Sequence, residues 1–293
     1  TAYGDSGPLA GRPDSEALVQ ARAGIADTTG RADGPPCLTG APFVGMETAL
    51  YAASAILAAL RHRDATGQGQ RIDMALYDVA VNALLTFLPL AFIGSEARRA
   101  GNRHPTLAPW NAYRAADGWV LICAPTDDQW RRLCGVMGQP GMVSHPDYAT
   151  TTARFRNVTA LDGAINAWAA SHSVADVVAL LGAAAIPCGP IHALADLPAD
   201  ANLRHRDSLV RDRDGTLLVR NPIRASGYAP PPVEAVPAPA LPDPATRRRM
   251  ADIRVLEIGM NTVAPLACRQ LGALGAEVIK VEPPTGDANR VNM

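Results

Sequence analysis

Apolar and polar positions recur with different periods along this chain, and the period decides which element each stretch predicts. Residues 1–40 are rich in Gly, Pro and other turn formers around one helical pattern, SEALVQARAGIAD, with Ser15 placed to cap it. From 46 to 62 the sequence is apolar on nearly every face, which predicts a helix buried all round. It runs into RHRDATGQGQRID, where Gly67 and Gly69 allow a tight connection. Arg61 and Arg63 suit the negative end of that helix's dipole. A strand-like RIDMAL and a second buried helix follow.

The pattern then turns polar. EARRAGNRHPTLAPWNA, residues 96–112, reads as a loop. YRAADGWVLICA alternates about Asp117-Gly118, a hairpin signal. TDDQWRRLCGVMG predicts a helix from Thr126 or Asp127 to near Gly138. Two more helical patterns cover 154–171 and 173–184, and AIPCGPI ends the second with Pro187 and Pro190. LVRDRDGTLLVRNP is a second hairpin, turning at Asp214-Gly215. The proline-rich 229–244 reads as an extended, semi-rigid linker and marks a domain boundary. Beyond it, RVLEIGMNTVAPLACRQLGALGAEVIKVEPPTGDANR reads as strand, turn, helix and strand, the opening unit of a nucleotide-binding α/β domain.

Composition narrows the classes. The 293 residues are 48% hydrophobic, enough for one or two globular domains. A net charge of −1 supplies no basic field for nucleic acid. ALYAASAILAAL is too short for a bilayer, which takes roughly 20 residues, and the second apolar stretch carries Asp73, Asp78 and Pro89. Neither is expected to meet a membrane. The start TAYGDSGP shows no signal peptide. Cys37, Cys123, Cys134, Cys188 and Cys268 are scattered without a CxxC, so no disulfide framework or zinc site is expected. A reduced cytoplasm is the expected compartment. No HxxxH, HExxH or GxSxG occurs to suggest a zinc or serine hydrolase.

Four stretches carry a resemblance: GDSGPLAGRPDSEALVQARAGIADTTG, ALYAASAILAALRHRDATGQGQRIDMALYD, GNRHPTLAPWNAYRAADGW and AAIPCGPI. In that order they resemble class III (CaiB/BaiF-type) CoA-transferases, the group that includes formyl-CoA and carnitine CoA-transferases. The closing GALGAEVIKVEPPTGDANR is similar to the N-terminus of the same family. The resemblance implies an incomplete α/β fold, with a Rossmann-like large domain and a smaller α+β domain. It divides the chain into 1–228, the middle and C-terminal part of a first copy with its small domain at about 96–200; 229–252, the linker; and 253–293, the βαβ opening of a second copy. A fragment spanning the junction of a tandem fusion is the expected organisation, with circular permutation as the alternative. The implied partners are an acyl-CoA, a carboxylic acid and a second copy paired as interlocked rings. Coenzyme A is implied as substrate, with no metal.

Family members use an Asp carboxylate as nucleophile, just before the apolar helix that leads to the TG.GQ loop. Counting back without gaps puts that position at Gly45, which has no nucleophile. Glu47 is the nearest carboxylate, but two helical residues rotate it by about 200°; a dipole-favoured helix-start carboxylate is its plainer reading. Glu16 matches a family acid near the nucleophile, against the alternative of a structural helix-start residue. The superfamily's racemases use a His and an Asp, which would fall on Ser15 and Gly45, so that reading is weaker. Asn261, Thr262, Val263 and Ala264 stand where family members have a CoA-contacting loop, and a strand-to-helix turn can hold phosphate. Ala264 replaces the usual Gly there. Lys280 and Glu282 alternate on a strand and read as solvent-facing, and His104 lies in a family loop.

Overall fold

The computed structural model describes residues 1–13, 15–94, 99–211, 215, 217–219, 222, 254–258, 268 and 277–287. The chain divides into two compact units, Thr1–Gly101 with Pro242–Met293, and Asn102–Leu241.

The first unit is mostly helical. Helix α1 (Glu16–Ala23) starts at Ser15, whose hydroxyl accepts from the Leu18 N–H, and stops at Gly24 in the left-handed conformation. That glycine turns the chain into the short α2 (Ile25–Thr28). Helix α3 spans Phe43–Thr66 and closes on left-handed Gly67, whose N–H reaches the Arg63 carbonyl. The strand expected over RIDMAL does not form. Residues 71–75 take no regular element, and the N–H groups of Leu76 and Tyr77 donate instead to the Thr1 and Ala2 carbonyls at 3.1 and 2.9 Å. The second apolar stretch breaks into α4 (Leu76–Asn82) and α5 (Phe87–Phe92). Val19, Val44 and Ala80 form the buried centre of this unit, with Phe43, Leu76 and Tyr77 packed against them.

The expectation that the first apolar helix is buried all round is overturned. Val44 is buried, but Met46, Leu50, Ile56, Leu57 and Leu60 are exposed. An all-round apolar pattern states what a helix can bury against, not that the partner lies within the same residues. The length estimate also fails, because the helix continues through polar residues to 24 in all. Among the described residues α3 is therefore long and apolar enough to cross a membrane, by length and composition.

The second unit is α+β. Strands β1 (Trp110–Arg114) and β2 (Trp119–Cys123) form the expected hairpin, with Arg114 opposite Trp119. Along β2, Val120 and Ile122 are buried while Trp119 and Leu121 are exposed, the period-two alternation of a half-covered sheet. Helix α6 (Asp127–Val136) begins with a full capping box between Thr126 and Gln129. The pattern at 154–171 divides at Asn157 into α7 (Thr151–Arg156) and α8 (Val158–Ala170), followed by α9 (Val174–Ala183) from an Ser173 cap. Strand β3 (Cys188–Pro190) then pairs antiparallel with β2, giving the order β1-β2-β3. Trp130, Leu133, Leu161, Ile165, Val177 and Leu181 pack beneath the sheet.

Two buried polar nodes fix this packing. Asp162 accepts from Tyr113 Oη (2.7 Å), Arg103 Nε (2.6 Å) and Asn111 Nδ2 (2.9 Å), tying α8 to β1 and to the preceding loop. Arg154 is fully buried and donates to the carbonyls of Ala108, Tyr148 and Pro125 and to Asp127 Oδ1. A buried guanidinium needs that many acceptors to offset its lost hydration.

After the short α10 (Ala201–His205), β4 (Leu209–Arg211) and β5 (Leu217–Val219) pair antiparallel, and Gly215 has a φ of +81°. Asp214 of that hairpin turn lies outside the described residues, as does the whole of the proline-rich 229–252. The closing segment forms β6 (Arg254–Glu257) and β7 (Glu277–Lys280), paired in parallel with Glu257 opposite Lys280. Parallel neighbours require a crossover, and Cys268 between them is helical.

Candidate functional site

Position 45 sits in the first turn of α3. That helix begins at Pro42, whose side chain makes no capping bond, so its leading N–H groups need acceptors from elsewhere. Glu16 supplies them. Its Oε1 accepts from the Val44 N–H at 3.2 Å and its Oε2 from the Gly45 N–H at 3.1 Å. A carboxylate there is favoured by the helix dipole as well as by the two bonds.

Glu16 is itself held. Gln20, one turn further along α1, donates from Nε2 to Glu16 Oε1 at 3.1 Å, and its own Oε1 accepts from the Thr39 N–H at 3.1 Å. Gln20 is buried. The chain of bonds therefore runs from the 39–42 connection through α1 to the start of α3. The sequence reading missed Gln20; the i,i+4 spacing from Glu16 was the available signal.

The structure brings Gly45 and Glu16 together. A Cβ built on Gly45 would stand 3.0 Å from Glu16 Oε2. The carboxylate thus borders the space that a residue-45 side chain would enter. Glu47 lies on α3 two residues on, half-buried, and its carboxyl is raised above the ordinary value by desolvation. A raised value favours the neutral acid, the poorer nucleophile. Ser15 is the N-cap of α1.

A groove of about 450 Å³ lies on another side of α1, lined by Tyr3, Leu9, Arg12, Pro13, Leu18, Ala21 and Arg22. Its size is that of ligand sites, but its α1 residues, Leu18, Ala21 and Arg22, are not on the Glu16–Gln20 face. Acyl chemistry at position 45 therefore draws no support from it.

Asn261, Thr262, Val263 and Ala264 lie outside the described residues. Close to that segment in sequence, the solvent-facing reading of Lys280 is corrected. Its ammonium bonds Glu257 Oε1 at 2.5 Å and Asp287 Oδ2 at 3.1 Å, with Glu282 at 3.9 Å. Glu257 and Asp287 are buried, and the bond that Lys280 donates to Glu257 raises the pKa of its ammonium. This cluster stands at the carboxyl ends of two parallel strands, where α/β sheets place ligands. In the second unit, His104 stacks on Trp110 with centroids 4.9 Å apart, and burial lowers its pKa. Its Nδ1 accepts from the Thr106 N–H at 3.2 Å, a loop-shaping bond. Among the described residues no group of three His, Cys, Asp or Glu could hold a metal ion.

The family model for CoA-transferase family III matches residues 1–242 and 250–293, so the chain belongs to that family. It is 33% identical over 228 residues to a succinyl-CoA:mesaconate CoA-transferase of Haloarcula hispanica, covering 76% of this chain and 57% of that protein. It is 33% identical over 229 residues to a succinate–glutarate CoA-transferase of Agrobacterium fabrum, with the same coverage. A solved CAIB/BAIF family protein from Brucella suis superposes with a TM-score of 0.66 at 33% identity, covering 78% of this chain and 60% of that one. The mixed helix and strand architecture matches these α/β relatives. The chain spans less than two thirds of their length.

Proposed function

We propose that the chain is part of an acyl-CoA:carboxylate CoA-transferase in which residues 1–228 form a copy without its own Asp nucleophile. Residues 253–293 begin a second copy, which supplies that Asp, and 229–252 join the two. Two separate stretches match one family, 1–242 and 250–293, which supports a tandem arrangement.

The observation that carries this reading is the start of α3. Gly45 stands at the nucleophile position with no side chain, and the nearby Glu16 carboxylate is engaged by two helix N–H groups and Gln20. In the proposed reaction a carboxylate oxygen attacks the thioester carbonyl, the C–S bond breaks, and CoA leaves as thiolate while the acyl group stays on the carboxylate as a mixed anhydride. The thiolate then attacks the enzyme's acyl carbonyl and releases the donor acid, leaving an enzyme–CoA thioester. An acceptor carboxylate repeats the steps in reverse. Covalent catalysis of this kind divides one hard transfer into easier ones. Coenzyme A is substrate throughout. Relatives named for succinyl-CoA with mesaconate and for succinate with glutarate make short dicarboxylic acids the first acceptors to try.

A pairing half without chemistry of its own is the second reading, and the exposed apolar side of α3 favours it. A racemase-type activity has less support, because Ser15 and Gly45 replace the required His and Asp.

Gly45→Asp tests the assignment. The added Cβ needs the Glu16 carboxylate to shift by a few tenths of an ångström, which a flexible tip can do. With succinyl-CoA and hydroxylamine, the variant is expected to form a hydroxamate at residue 45. No trapped acyl group in the variant counts against Gly45 as the nucleophile position.

A further inference from the structure

The groove beside α1 carries two cations that nothing described around them neutralises. Leu9 and Pro13 of the loop before α1, Leu18 and Ala21 of α1 itself, and Tyr3 give it an apolar lining. Arg12 joins from the same loop and Arg22 from the last turn of α1. Both arginines are exposed, and among the described residues neither guanidinium has a carboxylate or carbonyl partner. The described carboxylates closest to them in sequence are committed elsewhere: Asp5 to Arg71, Glu16 to the start of α3, and Asp27 to Arg99.

The backbone sets the recess. The Ala10 and Arg12 N–H groups donate to the Gly7 and Leu9 carbonyls at 3.2 Å each, which folds the loop into consecutive turns. Leu18, Ala21 and Arg22 share one helix face by their 3-4 spacing, opposite the buried Val19, Gln20 and Ala23. The helix dipole explains a cation in the last turn of α1. It explains neither Arg12 nor the recess of about 450 Å³ that both arginines line.

Guanidinium groups pair with carboxylates and phosphates alike. Phosphate sites draw mainly on backbone N–H groups at helix starts and nests. Here the cations stand among apolar side chains, which suits a carbon chain carrying a carboxylate at each end. We propose that this groove binds a short-chain dicarboxylic acid, its carboxylates on Arg12 and Arg22 and its methylenes on the apolar lining. The site is separate from position 45 and depends on no assignment of the nucleophile.

Calorimetric titration of glutarate into the 293-residue chain at fixed ionic strength tests the proposal. Wild type is expected to saturate below about 10 mM, and to bind butyrate, with its single carboxylate, about fivefold more weakly. Arg12→Gln and Arg22→Gln are each expected to weaken glutarate about fivefold, and Arg22→Lys less. Arg131→Gln, at an exposed arginine of α6 paired with Asp128, is expected to change nothing. Should one groove variant fail to fold by circular dichroism, the other carries the test. No saturation by about 10 mM, or an affinity indifferent to both groove arginines, overturns the site. Inorganic phosphate or ADP binding more tightly than glutarate, with the same arginine dependence, overturns the dicarboxylate in favour of a phosphorylated ligand. Binding is read without turnover, so a failure of the transferase reading leaves this result unchanged.

Discussion

Glu16 is one side chain doing two structural jobs. It opens α1 with an acid in the first turn and it caps α3 from 28 residues upstream through the Val44 N–H. Removing it leaves two helix N–H groups and the Gln20 amide without their acceptor. Glu16→Ala is therefore expected to lose about 2 kcal/mol of stability in urea unfolding, and Glu16→Gln, which keeps one oxygen, clearly less. An equal loss in both would mean that packing, not the acceptor role, is what matters. The sequence could nominate Glu16 and Gly45 separately, because each stands at a recognisable offset within a helix start. That they meet, the Gly45 N–H on Glu16 Oε2 at 3.1 Å, was not legible, since the contact depends on how α1 and α3 cross.

At the scale of elements, legibility follows how local the deciding interaction is. Ser15, Thr126 and the Asp117-Gly118 turn set their elements through bonds within a few residues, and each stands where its side chain predicts. RIDMAL has strand composition but no strand beside it among the described residues, so the N–H of its Leu76 turns to Thr1 and that of the following Tyr77 to Ala2. Helix α3 shows the same limit from the other direction: its sequence declares that it will be covered and says nothing of what covers it. Asp162 is an element-scale feature too, because three donors from two segments converge on it. Asp162→Ala strands those donors in a part-buried site and is expected to cost about 3 kcal/mol, read as a lowered urea midpoint of the second unit. A loss under about 1 kcal/mol would show that water replaces the carboxylate.

For the whole molecule, family membership rests on motifs spread over nearly the full chain, which is why it could be read from sequence. The same spread explains what could not. Residues 261–264, expected from the resemblance to contact coenzyme A, lie outside the described ones. In the proposed arrangement this copy captures no acyl group and serves its neighbour's chemistry. Exposing the wild-type chain to succinyl-CoA, trapping with hydroxylamine and mapping residues 1–228 by mass spectrometry tests that claim most directly. The account predicts unmodified peptides throughout, Glu16 and Glu47 included; a hydroxamate on either carboxylate would contradict it.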